Sequence, residues 1–229
     1  MQFDPAFWGI VTLSLRIAAT ATMIALPLAV AVAWLLARRQ FWGHRIVNGL
    51  VHLPLVLPPV VTGYLLLIVF GRNGPVGGVL YKLFGVTLAF NWTGAALAAG
   101  IMAFPLMVRA IRLGFEAVDS GIEAAAATLG ASPRRVFLTV TLPLIAPGIL
   151  AGTVLGFAKA LGEFGATITF VAAIPGQTQT IPSAIYGLLQ VPGQEGAVVW
   201  LVAVSVVLAM GALIVSEWLA TRMTKRLAA

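Results

Sequence analysis

Few side chains in this sequence could do chemistry, and their types and spacing limit what that chemistry is. Lys159 and Glu163 stand four residues apart inside an apolar stretch, so on a helix they share a face. Charges in such surroundings are costly. They either border a functional path or its gate, or neutralise each other and fix helix packing, and the spacing leaves both readings open. His44 and His52 lie eight residues apart without a ligand cluster, and the chain has no cysteine, so no metal site is expected and no disulfide is possible. Neither H-E-x-x-H nor G-x-S-x-G occurs, which leaves a polytopic membrane enzyme without its convergent acids, bases or ligands. No Gly-rich loop ends in Gly-Lys-Ser/Thr, so catalytic residues are not expected and ATP hydrolysis would belong to another protein.

The elements that would position these residues are membrane helices. Of the 229 residues 60% are hydrophobic and 9% charged, against roughly a quarter charged in soluble proteins. A soluble fold could not hide so much apolar surface; lipid can. A span needs about 20 apolar residues. Five segments qualify: Ile10 to Leu36, Leu50 to Phe70, Trp92 to Val108, Pro143 to Leu161 and Gly196 to Leu219. The fold class is therefore all-α membrane protein with about five transmembrane helices. Pro54, Pro58 and Pro59 predict bent first turns in the second span, and Pro105 a kink late in the third. The start, Met1 to Asp4, has no basic signal-peptide character, so the first apolar run is expected to stay as an anchor.

The net charge of +7 does not indicate nucleic acid, because the basic residues form no stripe. They cluster between spans instead. Arg38, Arg39 and Arg45 follow the first span, Arg109, Arg112, Arg134 and Arg135 the third, and Arg222, Lys225 and Arg226 the fifth. The other connections hold only Arg72 and Lys82. By the positive-inside rule the clustered side is cytoplasmic, with the N-terminus outside and the C-terminus inside. Trp8, Trp92 and Trp218 suit an interfacial belt, and Arg16 is expected to snorkel to the outer interface. The connection Gly71 to Asn91 is expected on the outer surface. A single permease domain spans 1–229, with no repeat or long linker.

The apolar stretch from Leu142 to Ile174 is too long for one straight span of about 20 residues. Lys159, Gly162, Glu163 and Gly165 interrupt it, which predicts a full helix, a break and a shorter segment. Breaks of this kind often mark a transporter's path. Gly148, Gly152 and Gly156, with Ala160, recur every four residues as a ridge for close helix packing. The neighbour could lie within the chain or in a second subunit.

Residues 114–142 carry the most local information. Ser120 and Glu123 have capping-box spacing, with Ser120 as N-cap. Phe115, Val118, Ile122, Ala125, Ala126 and Leu129 recur every three or four residues on one face. Gly130 suits a left-handed helix stop, and Ser132-Pro133 restarts a helix as N-cap and N1, followed by Arg134 and Arg135. The expected form is two short helices around a sharp corner. The alanines at 124 to 127 either offer a narrow docking surface or only raise helix propensity.

The run from Glu123 through Gly130 and Arg135, closing at Leu142-Pro143, resembles the ATPase-docking loop of permease subunits of ABC importers. In that family the usual glutamate lies six residues before the glycine; this chain has Ala124 there and Glu123 one position earlier. His52 to Val61, Phe104 to Ile111, Leu161 to Phe170 and Thr180 to Tyr186 resemble the permeases of molybdate importers in particular. The resemblance implies a type I ABC importer permease fold in the bacterial or archaeal cytoplasmic membrane. It also implies a homodimer of this chain, cytoplasmic ABC ATPase subunits carrying ATP-Mg, and an extracytoplasmic molybdate-binding protein. This chain would bind no cofactor itself. Tungstate, sulfate or another small solute stays open as cargo, and a lone channel is the remaining rival. Desolvating a dianion in hydrocarbon would cost tens of kcal/mol, so the path must be wet. Thr167, Thr169, Thr178, Thr180 and Ser183 are expected to supply some of its uncharged donors.

Overall fold

The computed structural model describes residues 5–227. Met1 to Asp4 lie outside the described residues, as do the side chains of Lys225 and Arg226. The described chain is helical, with no strand: α1 (Pro5–Arg38), α2 (His44–Val56), α3 (Pro59–Phe70), α4 (Pro75–Phe84), α5 (Trp92–Glu116), α6 (Ser120–Thr128), α7 (Pro133–Val136), α8 (Leu142–Leu161), α9 (Gly165–Val171), α10 (Ile181–Leu188) and α11 (Glu195–Leu227). A π-helical turn, Phe137–Thr141, joins α7 to α8. Among the described residues four helices are long and apolar enough to cross a membrane, or five when α2 and α3 count as one bent span.

Helix α5 is the central rod, buried along most of its length by small residues. On one side it meets α1, whose Ala21, Ala25, Ala29 and Ala33 are all buried and recur every four residues. On the other it meets α8 through the glycine ridge. A methyl on Gly148 would lie 3.1 Å from the Gly114 Cα, and on Gly152 2.8 Å from the Ile111 side chain. On Gly156 it would fall 2.5 Å from Met107 Cγ. The neighbour of the ridge is therefore within the chain. Small residues let these backbones approach, and dispersion between them replaces contacts with lipid.

Three expectations about spans need correction. The second span is not one rod with bent first turns but two helices, α2 and α3, turned 114° about Leu57-Pro58. Pro58 and Pro59 cannot donate backbone hydrogen bonds, so the α2 ladder stops and a new helix starts at Pro59. The third span is longer than expected, reaching Glu116, and its helix continues through Pro105. The fourth begins earlier: the restart at Pro133 runs through the π turn into α8. The connection between α3 and α5 contains the short helix α4.

The broken fourth stretch is as expected. Helix α8 ends at Leu161 and α9 begins at Gly165. Helix α9 then crosses α3 at very short range: a methyl on Gly63 would sit 2.5 Å from the Ala166 carbonyl oxygen, and one on Gly165 2.7 Å from Pro59. Helix α10 is tied to α1 by the Ile181 N–H, which donates to Ser14 Oγ at 2.8 Å.

Candidate functional site

Two regions collect the polar groups. The first is the elbow between α5 and α8. The corner forms as its sequence dictates. Gly130 has φ +87, the left-handed conformation that suits glycine. Its N–H donates to Ala127 O at 3.0 Å and that of Ala131 to Ala126 O at 3.2 Å, the paired bonds of a Schellman stop. Ser132 caps the restart, its Oγ accepting from Arg135 N at 3.4 Å, with Pro133 as the first helical residue.

The capping box, however, does not form. Asp119, not Ser120, is the N-cap of α6, accepting from Gly121 N at 2.8 Å. A carboxylate there meets the positive end of the helix, an advantage serine lacks. Ser120 becomes the first helical residue, and Glu123 is left with no cap to return to. It turns the other way, onto Arg38 at the end of α1 (3.1 Å) and Thr141 (2.5 Å). The second short helix is also not free-standing, since α7 is the first turn of a run into α8.

No residue of α6 is buried. Ile122 is 49% exposed, Leu129 89% and Leu138 59%, an apolar surface at a polar elbow. Ala125 is exposed and Ala126 half-buried, Arg134 and Arg135 are exposed, and Leu142 and Pro143 begin α8 with Leu142 half-buried. A recess of about 770 Å³ beside the corner is lined by Arg38, Arg39, Arg134 and Glu123. A neighbouring hollow holds Arg39, Arg45, Arg112 and Glu116. Arg38, Arg39, Arg45, Arg112 and Arg134 thus gather at one end of the bundle. At the opposite end Arg16 is exposed and stacks 3.8 Å above the Trp92 ring, and Arg72 lies over Tyr81.

The second region is the break between α8 and α9. Lys159 Nζ donates to Glu163 Oε2 at 2.6 Å, and the Glu163 side chain is 1% exposed while that of Lys159 is 30% exposed. Glu163 Oε1 also accepts from Ala166 N at 3.0 Å, so the carboxylate caps α9 as well as holding the lysine. Removing only the lysine strands a buried charge. Lys159→Met is expected to destabilise the protein by about 3 kcal/mol, the low end for a broken buried pair because the lysine is only partly buried. Lys159→Met with Glu163→Gln should recover most of that loss in thermal unfolding in detergent.

The hydroxyls expected along a path are occupied locally. Thr167 Oγ1 donates to Phe164 O and Thr169 Oγ1 to Gly165 O, each at 2.9 Å. Thr178 is buried and binds three backbone groups of the turn after α9, and Thr180 and Ser183 form the capping box of α10. Two further hydroxyls are not singled out by the sequence and have no partner for their buried Oγ1 among the described residues: Thr93, at the start of α5, and Thr62, on the buried face of α3. The nearby prolines are the only signal there. Among the described residues no group of acidic, histidine or cysteine side chains could hold a metal ion; His44 and His52 each bind a backbone carbonyl.

Known proteins share both the sequence and this architecture. Residues 25–227 match the family described as binding-protein-dependent transport system inner membrane component. The chain is 57% identical over 217 residues to the molybdenum transport system permease protein ModB of Escherichia coli K12, covering 95% of this chain and 94% of that one. To the protein of the same name from Haemophilus influenzae it is 55% identical, covering 95% of each. Among solved structures, a bacterial ABC transporter that imports the polysaccharide alginate has TM-score 0.71 at 17% identity, covering 99% of this chain and 81% of that one. The MetNI methionine ABC transporter has TM-score 0.69 at 13% identity, covering 95% and 94%. These two show the fold alone. A chain with this helical bundle, this family match and these relatives belongs to the family of binding-protein-dependent transport system inner membrane components, as a multi-pass permease subunit of an ABC importer.

Proposed function

We propose that this permease carries molybdate inward across the cytoplasmic membrane as a homodimer forming one permease domain from each chain. Two ATPase subunits, binding ATP-Mg, grip the elbows, and an extracytoplasmic binding protein delivers the oxyanion on the opposite side. The observation that carries the docking half is the bare elbow. Ile122, Leu129 and Leu138 expose apolar surface at the basic end, where a soluble partner can cover it. The cargo half rests on relatives above 50% identity that are named for molybdenum transport. Closure of the ATPases would pull the elbow, and α8 with it, opening the bundle outward; hydrolysis would reset it.

Lys159 and Glu163 lie at the break, and we place the path beside it, where the lysine side chain is part-exposed. Of the hydroxyls, Thr169 is the one left half-buried; Thr167, Thr180 and Ser183 are buried, so they border a path only if the break opens. The pair Lys159→Met with Glu163→Gln, which should recover most of the lost stability, separates these roles. Lost uptake in a folded double variant supports the path, and normal uptake reduces the pair to packing.

The cargo is tested by reconstituting the chain in liposomes with the ABC ATPase and binding protein that co-purify with it. ATP-dependent molybdate uptake that excess sulfate does not suppress is the expected result. A second reading has its own support: a 33% identical relative from Chlorokybus atmophyticus is named as a probable sulfate transport permease. Preferential sulfate uptake would favour it.

A further inference from the structure

Glu123 is the one acidic residue of α6, and its carboxylate turns inward. Oxygen Oε1 accepts from Arg38, the last residue of α1, at 3.1 Å and from Thr141 at 2.5 Å. Arg38 and Glu123 side chains are 24% and 23% exposed, and Thr141 is buried. Three elements therefore meet at one oxygen: the elbow helix, the end of the first span, and the π turn at the root of α8. The helix buries no residue of its own, so this contact is a principal side-chain tie between α6 and the bundle.

The π turn explains how Thr141 reaches this point. One extra residue in a helix rotates the downstream residues by about 100°, at 3.6 residues per turn. Such turns are uncommon and recur at functional positions. Here the turn Phe137–Thr141 brings a threonine, rather than an aliphatic neighbour, beneath the elbow.

We propose that Glu123 is a positioning residue inside the permease, a strut that transmits movement of the docked elbow to α1 and α8 together, rather than a contact to the ATPase. This rests on the reading that the elbow docks an ATPase. Without the ion pair a pull on α6 would reach α1 only indirectly, through the packing of α1 on α5 and α8. The ion pair recruits α1, which lies along α5 for most of its length. A partly buried, charge-assisted contact of this kind is strong enough to carry load, unlike an exposed surface pair.

The test uses the whole importer reconstituted in liposomes, reading molybdate taken up per ATP hydrolysed and the amount of ATPase retained. Glu123→Gln and Arg38→Gln should keep the ATPase bound and hydrolysing, while uptake per ATP falls about fivefold or more, the range of a modest coupling energy. Thr141→Val should reduce the ratio less. The exchanged pair Arg38→Glu with Glu123→Arg should restore most of the ratio, a rescue that loss of folding or of a partner contact would not give. An unchanged ratio in Glu123→Gln overturns the inference, as does release of the ATPase from that variant with no repair by the exchange. A wild-type importer that hydrolyses ATP without moving molybdate overturns the functional reading, and the inference with it.

Discussion

Gly130→Val is expected to cut coupled transport by about tenfold or more while the protein still inserts and folds. Nothing lies within 4 Å of a methyl built at this glycine, so sterics with neighbours are not the cause. The cause is the backbone. At φ +87 a β-branched residue is strained by about 1–2 kcal/mol or more. Leaving that conformation breaks the two bonds from Gly130 and Ala131 N–H that close the corner, each worth about 1 kcal/mol. Either cost alone, about 1–2 kcal/mol, turns α6 away from its docked direction, and uptake should drop by about tenfold or more, since about 1.4 kcal/mol is tenfold in an equilibrium. Gly130→Asn should keep most activity, because asparagine tolerates the left-handed region. Uptake in liposomes and co-purification of the ATPase are the measurements. Full coupled activity in Gly130→Val would remove the elbow from the mechanism.

The second large effect is on stability. Gly63→Ala places a methyl 2.5 Å from the Ala166 carbonyl oxygen and 2.9 Å from Thr169 Cβ. The obstacle is the backbone of α9, which cannot rotate away, so α3 and α9 must separate. Overpacking of this kind costs about 1–3 kcal/mol, and the upper end applies to a rigid neighbour. Gly156→Ala should cost less although its methyl also meets an atom at 2.5 Å, because that atom belongs to the flexible Met107 side chain. Gly100→Ala, with its nearest neighbour at 3.5 Å, should be close to neutral and gain helix propensity. Thermal unfolding in detergent should rank the three in that order. Equal losses would mean that the α3–α9 crossing is not a tight contact.

Features set by neighbours in sequence are legible from residue order: the glycine stop at 130, the serine-proline restart at 132, the break after Leu161, and the glycine ridge at 148, 152 and 156. So are the spans, whose apolar length is a local property. Features set by competition between distant groups are not. Asp119 outcompetes Ser120 for the cap, and Glu123 finds Arg38, which lies 85 residues away. The prolines at 58 and 59 signal a bend, but its size of 114° depends on how α3 seats against α9. The alanine stripe of α1 does not stand out, because alanine is common in any apolar span. The hydroxyls at 167, 178, 180 and 183 resemble donors awaiting a ligand; in the fold they close turns and caps, a use visible only when backbone partners are known.

The most direct measurement of the central claim uses the absence of cysteine in this chain. A single Leu129→Cys variant puts a thiol at the tip of the elbow, where the native side chain is 89% exposed. Labelling is done with a membrane-impermeant maleimide, in intact cells and in inverted vesicles with and without the ATPase subunits. The predicted result is no labelling from outside, rapid labelling in stripped inverted vesicles, and protection when the ATPase is bound. Labelling of intact cells, or equal labelling with and without the ATPase, would contradict the account.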